Sequence, residues 1–167
     1  MEALLPDGEF IHLQGGMWRC CIGRGGRQNH KQEGDGATPT GLLPLRRVLY
    51  RADRGPPPQT VVPIEPIAPD DGWCDDPADA RYNRAVRLPY PARHEVLWRD
   101  DGLYDLIGVL GWNDAPVKRG EGSAIFLHIA RPDYAPTDGC IALAAQDLCR
   151  MLAAGLSAVR VSPVGPG

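Results

Sequence analysis

The sequence predicts a mainly β fold, β-rich α+β, with one clear helix near the C-terminus, and three observations predict it. Apolar runs of strand length recur along the 167 residues, and 20 glycines and 17 prolines punctuate them without a fixed period. A single segment, 144–154, carries apolar residues at helical spacing. The length suits one domain over residues 1–167 with its own core.

Residues 9–13 and 17–22 read as strands joined at Gly15 and Gly16, a hairpin signal. The glycines at 23–26 form a turn; they lack the Lys-Ser/Thr and the following helical pattern of a phosphate loop. Residues 31–41 have loop chemistry and lead into a strand over 42–50. Glu33 and Asp35 lack the alternating oxygen ligands of a calcium loop. Prolines dominate 55–69, which is therefore extended and at a surface or sheet edge.

Residues 70–93 are polar and aromatic without helical or strand period, so a long structureless loop covering something functional is expected. Its Trp73, Tyr82 and Asn83 either line a groove or pin the loop to the core. Strands over 94–98 and 102–112 flank a turn at Asp100, Asp101 and Gly102. The run 123–130 is a further strand, with Ala124, Phe126, His128 and Ala130 on one face. Its apolar content on both faces predicts burial on both sides. The helix carries Leu148, Met151 and Leu152 inward and stops at Gly155, and a last strand covers 158–161.

Composition excludes several classes. At 43% hydrophobic and 23% charged the chain is globular, and with net charge −3 and no basic stripe it is not expected to bind nucleic acid. No segment suffices to span a bilayer. The start, MEALLPDGEF, lacks the basic and apolar regions of a secretory signal, which leaves export and cytoplasmic residence both open. The five cysteines include no C-x-x-C and have no histidines at ligand spacing, so no metal or cofactor is expected. Cys20, Cys21, Cys74 and Cys149 are expected to be buried free thiols.

One constellation carries chemistry. His128 is a lone histidine in a buried strand, and Cys140 follows Gly139 twelve positions later, after a proline-rich turn. Gly139 leaves room for a carbonyl to approach the sulfur and the N–H groups beside it, an oxyanion hole. A thiol needs a base, and the excursion between Pro132 and Pro136 allows the imidazole to meet it. The plain alternative is a satisfied core histidine and a structural cysteine.

On the segments Thr137-Asp138-Gly139-Cys140-Ile141, His128 with the run 123–128, the Thr-Pro turn within 34–41, and residues 72–77 and 82–84, the chain resembles the L,D-transpeptidase (YkuD-like) catalytic family, in particular a small, divergent proteobacterial subgroup. The resemblance spans roughly residues 19–156. It implies the family's β-sandwich catalytic fold and a cell-wall acyltransferase placed in the periplasm or cell envelope, with peptidoglycan stem peptides as partners and a monomeric state. Cys140 is implied as nucleophile, His128 as base, and the Gly139 and Cys140 N–H groups as the oxyanion hole. A meso-diaminopimelate amine is the implied acceptor, giving 3→3 or 1→3 links, and acylation by carbapenems is a family trait. Asp138 stands where most members carry histidine, Ala142 where they carry Arg or Asn, and the His-to-Cys spacer is short. Asp138 is counted among the catalytic residues and is expected to point away from the sulfur or to bond a backbone or histidine N–H. Thr137, Arg131, Trp73, Tyr82, Asn83 and His94 are the candidate substrate-binding residues.

Three other readings compete. An L,D-carboxypeptidase resolves the same thioester with water. A wall-binding module with a dead site draws on the Asp138 and Ala142 departures. A papain-like protease is disfavoured, because there the cysteine precedes its histidine.

Overall fold

The computed structural model describes residues 1–165. Its elements, in chain order, are β1 (Glu2–Leu5), β2 (Phe10–Leu13), β3 (Gly16–Cys21), β4 (Arg27–Gln28), β5 (Thr38–Pro39), β6 (Gly41–Tyr50) and β7 (Ile64–Pro66). There follow β8 (Asp71–Cys74), β9 (Arg84–Arg87), β10 (His94–Val96), β11 (Leu106–Leu110), β12 (Phe126–Ile129), β13 (Ile141–Leu143), α1 (Ala145–Ala153) and β14 (Ala158–Val161). The fold is mainly β with its helix near the C-terminus, as the sequence predicts.

The large sheet runs β11-β12-β13-β3-β2-β1-β14-β6-β7, and a further pairing of β6 with β11 closes it on itself. The long β6 makes the closure: its first residues pair with β14 and its later ones with β11. Strand β3 likewise pairs with β2 on one side and β13 on the other. The result is a flattened, closed sandwich, an arrangement that leaves few open edges.

Two apolar clusters divide the core. The larger lies inside the closed sheet, where Leu5, Ile11, Leu43, Leu127, Ile141 and Leu143 meet the helix residues Leu148, Met151 and Leu152. The helix presents these three because they are its apolar residues at helical spacing. It ends in a Schellman arrangement: the Leu156 N–H donates to Met151 O and the Gly155 N–H to Leu152 O, with Gly155 at φ +90°. The smaller cluster lies on the opposite face of β11 and β12, where Ile107, Val109, Phe126 and Cys140 pack under Trp73, Leu97 and Tyr104.

Four expectations are corrected. Residues 70–93 are not structureless: β8 and β9 join β10 in a second sheet, ordered β10-β8-β9, that covers the smaller cluster. No period-2 pattern marks them because three of the four residues of β8 are buried and the strands are only four residues long. The strands on either side of the Asp100 turn do not pair with each other: β10 enters the small sheet and β11 the large one. The run 123–130 becomes strand only at Phe126, because Ala124 has φ +52°. Cys149 is exposed on α1, whereas Cys20, Cys21 and Cys74 are buried, and no disulfide links any of the five. No helix among the described residues is long and apolar enough to cross a membrane.

Leu148 is fully buried where the helix meets the sheet interior. Leu148→Ala is expected to cost about 3 kcal/mol of unfolding free energy, read as a lower midpoint at unchanged slope in urea denaturation.

Candidate active site

Strands β12 and β13 are parallel neighbours in the register Leu127↔Ile141, His128↔Ala142. Residues opposite one another share a face, so Leu127 and Ile141 point into the sheet interior while His128 and Ala142 point out. One step back, Cys140 lies beside Phe126, and the Phe126 N–H meets its sulfur at 3.4 Å. His128 and Cys140 are therefore diagonal neighbours on the outer face. Strand spacing and the rise over two residues put such backbones about 8 Å apart, within reach of an imidazole and a rotating thiol. Both side chains line a cavity of about 710 Å³, walled also by Glu95, Tyr104, Ser123, Arg131 and Thr137.

The two groups are not hydrogen-bonded to each other. The Cys140 thiol donates to Ala124 O at 3.2 Å. His128 Nδ1 lies 2.9 Å from Ile129 O, and since a carbonyl only accepts, Nδ1 carries the proton and Nε2 the free lone pair of the neutral ring. The ring packs edge-on against Tyr104, with centroids 5.3 Å apart. Burial lowers the His128 pKa below its ordinary 6.5, and Arg99 and Arg131 add to the effect. Burial, with a smaller contribution from the Glu95 carboxylate, pushes the Cys140 thiol up to about 12. At neutral pH the resting pair is thus a neutral thiol and a neutral imidazole.

The turn that carries the cysteine is fastened from the upstream loop. Thr38, fully buried, donates its hydroxyl to Gly139 O at 2.8 Å and accepts the Gly23 N–H at 3.0 Å. Gly139 has φ +132°, and a Cβ there would lie 2.9 Å from Ala37 O, so only glycine fits. Thr137 closes the turn: its Oγ1 donates to Cys140 O at 2.6 Å and accepts the Gly139 N–H at 3.2 Å. That amide is consequently occupied, unlike the free donor expected from the sequence. Asp138 is exposed and points away from the sulfur to pair with Arg24 at the cavity mouth.

Among the other sequence candidates, Arg131 is exposed and lines the cavity. Trp73, Tyr82 and Asn83 are buried and lie outside its lining. Asn83, at φ +56°, uses its whole carboxamide. Oδ1 accepts from Trp73 Nε1 at 3.0 Å and the Ala124 N–H at 3.1 Å, and Nδ2 donates to Trp112 O at 2.9 Å and Asn113 O at 2.8 Å. The Trp73 indole stands T-shaped on Phe126, centroids 5.3 Å apart. The Tyr82 hydroxyl donates to Glu33 and accepts the Gly122 N–H. His94 pairs with Cys74 across the small sheet, packs against Tyr90 and lies outside the cavity lining.

Sequence reasoning did not single out Glu95 and Tyr104. Glu95 lies opposite Trp73 on the inward face of the small sheet and accepts the Tyr104 hydroxyl at 2.7 Å. Burial raises its pKa. An acidic residue turned inward within the apolar run 94–98 is the one signal that marks it. Cavity charges are mixed, with Arg24, Lys31, Arg93, Arg99 and Arg131 facing Glu33, Asp75, Glu95 and Asp138, which suits a zwitterionic peptide.

Removing the Asn83 carboxamide leaves two N–H groups and two carbonyls without partners. Asn83→Ala is expected to cost about 3 kcal/mol in urea denaturation and to lower the rate of Cys140 alkylation or acylation. The equally destabilised Leu148→Ala is expected to keep that rate under native conditions.

The family model for the L,D-transpeptidase catalytic domain, YkuD, matches residues 6–161 of this chain. No curated protein matches it.

Proposed function

The chain belongs to the L,D-transpeptidase catalytic domain family, and from that premise we propose that it cross-links peptidoglycan stem peptides through a Cys140 acyl-enzyme. The observation that carries the reading is the parallel register of β12 and β13, which sets His128 and Cys140 on one face at the floor of one cavity.

In this reading the thiol turns from Ala124 O toward His128 Nε2, which takes its proton as Sγ attacks a stem-peptide carbonyl. The carbonyl oxygen becomes an oxyanion stabilised by the Cys140 N–H, since the Gly139 N–H is committed to Thr137. Collapse breaks the peptide C–N bond, and His128 returns the proton to the leaving amine, which leaves a thioester. A meso-diaminopimelate side-chain amine then attacks the thioester, loses its proton to His128, and restores the thiol as the new peptide bond forms. Donors of different stem length give 3→3 or 1→3 links. Thr137, Arg131 and Asp138 meet the substrate at the mouth, while Trp73, Tyr82, Asn83 and His94 act from behind by holding the covering sheet. The reaction needs no cofactor from the residues named. The domain spans residues 1–167, works as a monomer and acts in the cell envelope.

Two measurements test the proposal. Defined tetrapeptide muropeptides incubated with the wild type are expected to give cross-linked dimers by mass spectrometry, and Cys140→Ala none. Trimmed monomers alone would replace transfer with hydrolysis. Absence of both products, together with no carbapenem adduct on Cys140, would leave a wall-binding module.

The second measurement is the pH profile. His128 acts as a base when neutral, and its lowered pKa keeps it neutral as pH falls through 6.5. The acid limb of kcat/KM is therefore expected below 6.5, with no thiolate absorbance at pH 7 in the free protein. A limb above 7, or a visible thiolate, would contradict a neutral resting pair.

A further inference from the structure

A second cavity, of about 490 Å³, lies on the same face of the large sheet, beyond the wall that Trp73 and Phe126 form beside Cys140. A cross-strand row reaches it. Arg47 on β6 is opposite Val109 on β11, Val109 is opposite Phe126 on β12, and Phe126 lies beside Cys140. Three strand spacings separate the ends of this row, about 14 Å. The other members are buried among apolar neighbours, so an arginine at the fourth position runs against the pattern of the face.

Arg47 is also alone. Its Nε is shielded from solvent without a hydrogen-bond partner, the one such side-chain atom among the described residues. Buried donors are nearly always paired, and an orphaned one calls for an explanation. Around it the cavity gathers Arg46, Arg81 and Arg84 against only Asp114 and Glu65. Asp114 is taken up by Arg46 through both carboxylate oxygens, at 2.8 and 3.3 Å. Arg81 and Arg84 donate only to backbone carbonyls, which leaves their charge uncompensated. Glu65, exposed on β7, makes no ion pair among the described residues.

We infer that this cavity is an anion-binding site, in which Arg47, with Arg81 and Arg84, holds a phosphate or carboxylate group between the indole walls of Trp73 and Trp112. Guanidinium forks match the oxygens of such groups two at a time, and an aromatic wall accommodates the organic part that bears them. The site is independent of the proposed reaction at Cys140, and its occupant is either a free oxyanion or a carboxylate borne by a cell-wall fragment.

Isothermal titration at constant ionic strength tests it, with sodium phosphate as one probe and a purified disaccharide-tetrapeptide as the other, each against the wild type and against Cys140→Ala. Saturable binding that depends on Arg47 is expected of at least one probe, equal for the phosphate arm in both proteins. Binding of phosphate alone identifies a free oxyanion; competition between the two probes identifies a wall carboxylate. Arg47→Met keeps the straight apolar stem and is expected to weaken binding at least tenfold while retaining Cys140 acylation. Arg81→Gln, at the surface, is expected to weaken it several-fold and serves if Arg47→Met does not fold. No saturable binding of either probe, or unchanged binding in a folded Arg47→Met, would overturn the inference.

Discussion

The carboxamide of Asn83 satisfies four groups from three separate segments, and the site depends on that convergence. Trp73 belongs to the covering sheet, Ala124 to the approach to β12, and Trp112 and Asn113 to the loop after β11. One planar amide holding all four fixes the distance between the small sheet and the face it covers. Ala124 is the residue whose carbonyl accepts the thiol's hydrogen bond, so the same node sets the floor on which the sulfur rests. A left-handed backbone at residue 83 aims the side chain, and asparagine is among the few non-glycine residues that adopt it at low cost.

A second constraint acts from the opposite side. Gly23, Gly36 with Ala37, and Gly139 bring three backbone segments into contact: a Cβ on Gly23 would lie 2.1 Å from Gly36 O and 2.9 Å from the Gly139 Cα. Thr38 bridges the same segments with one hydroxyl that both donates and accepts. The cysteine is thereby held between a clamp of backbone and an amide hub, and neither depends on a charge. This explains how the turn tolerates Asp138 in the position where most of the family carries histidine. The carboxylate extends into solvent toward Arg24, and the turn's geometry is set by hydroxyls and glycines instead.

What was legible in the sequence follows from which signals the packing needs. The strand around His128, the helix with Leu148, Met151 and Leu152, and the last strand are buried on one or both faces over several residues, so their apolar pattern is strong. The Gly139-Cys140 turn could be read because only glycine admits the close approach there. The small sheet could not: its strands are short, and it is held to the face by single contacts such as Trp73 on Phe126 and Glu95 on Tyr104 rather than by a periodic stripe. Asn83 is a polar residue in polar surroundings along the chain, and Glu95 a single acid within the apolar run 94–98. Their importance arises from pairings between residues distant in sequence, which no local pattern records.

The burial of Cys140 follows from the same architecture and bears on the proposed chemistry. A preformed thiolate beside Glu95, in a face covered by Trp73, Phe126 and Tyr104, would be poorly solvated, and Lys31 offsets this only in part, so the thiol is pushed up. In the proposed reaction the proton leaves the sulfur as the bond to carbon forms, with the imidazole already placed and its Nδ1 tied to Ile129 O. In that reaction a substrate that fills the cavity turns the thiol from Ala124 O. Under the proposed function, selectivity resides in the covering sheet as much as in the cysteine. The residues that position β8 and β10 over the strands take part in choosing which carbonyl reaches the sulfur, even where they never touch it.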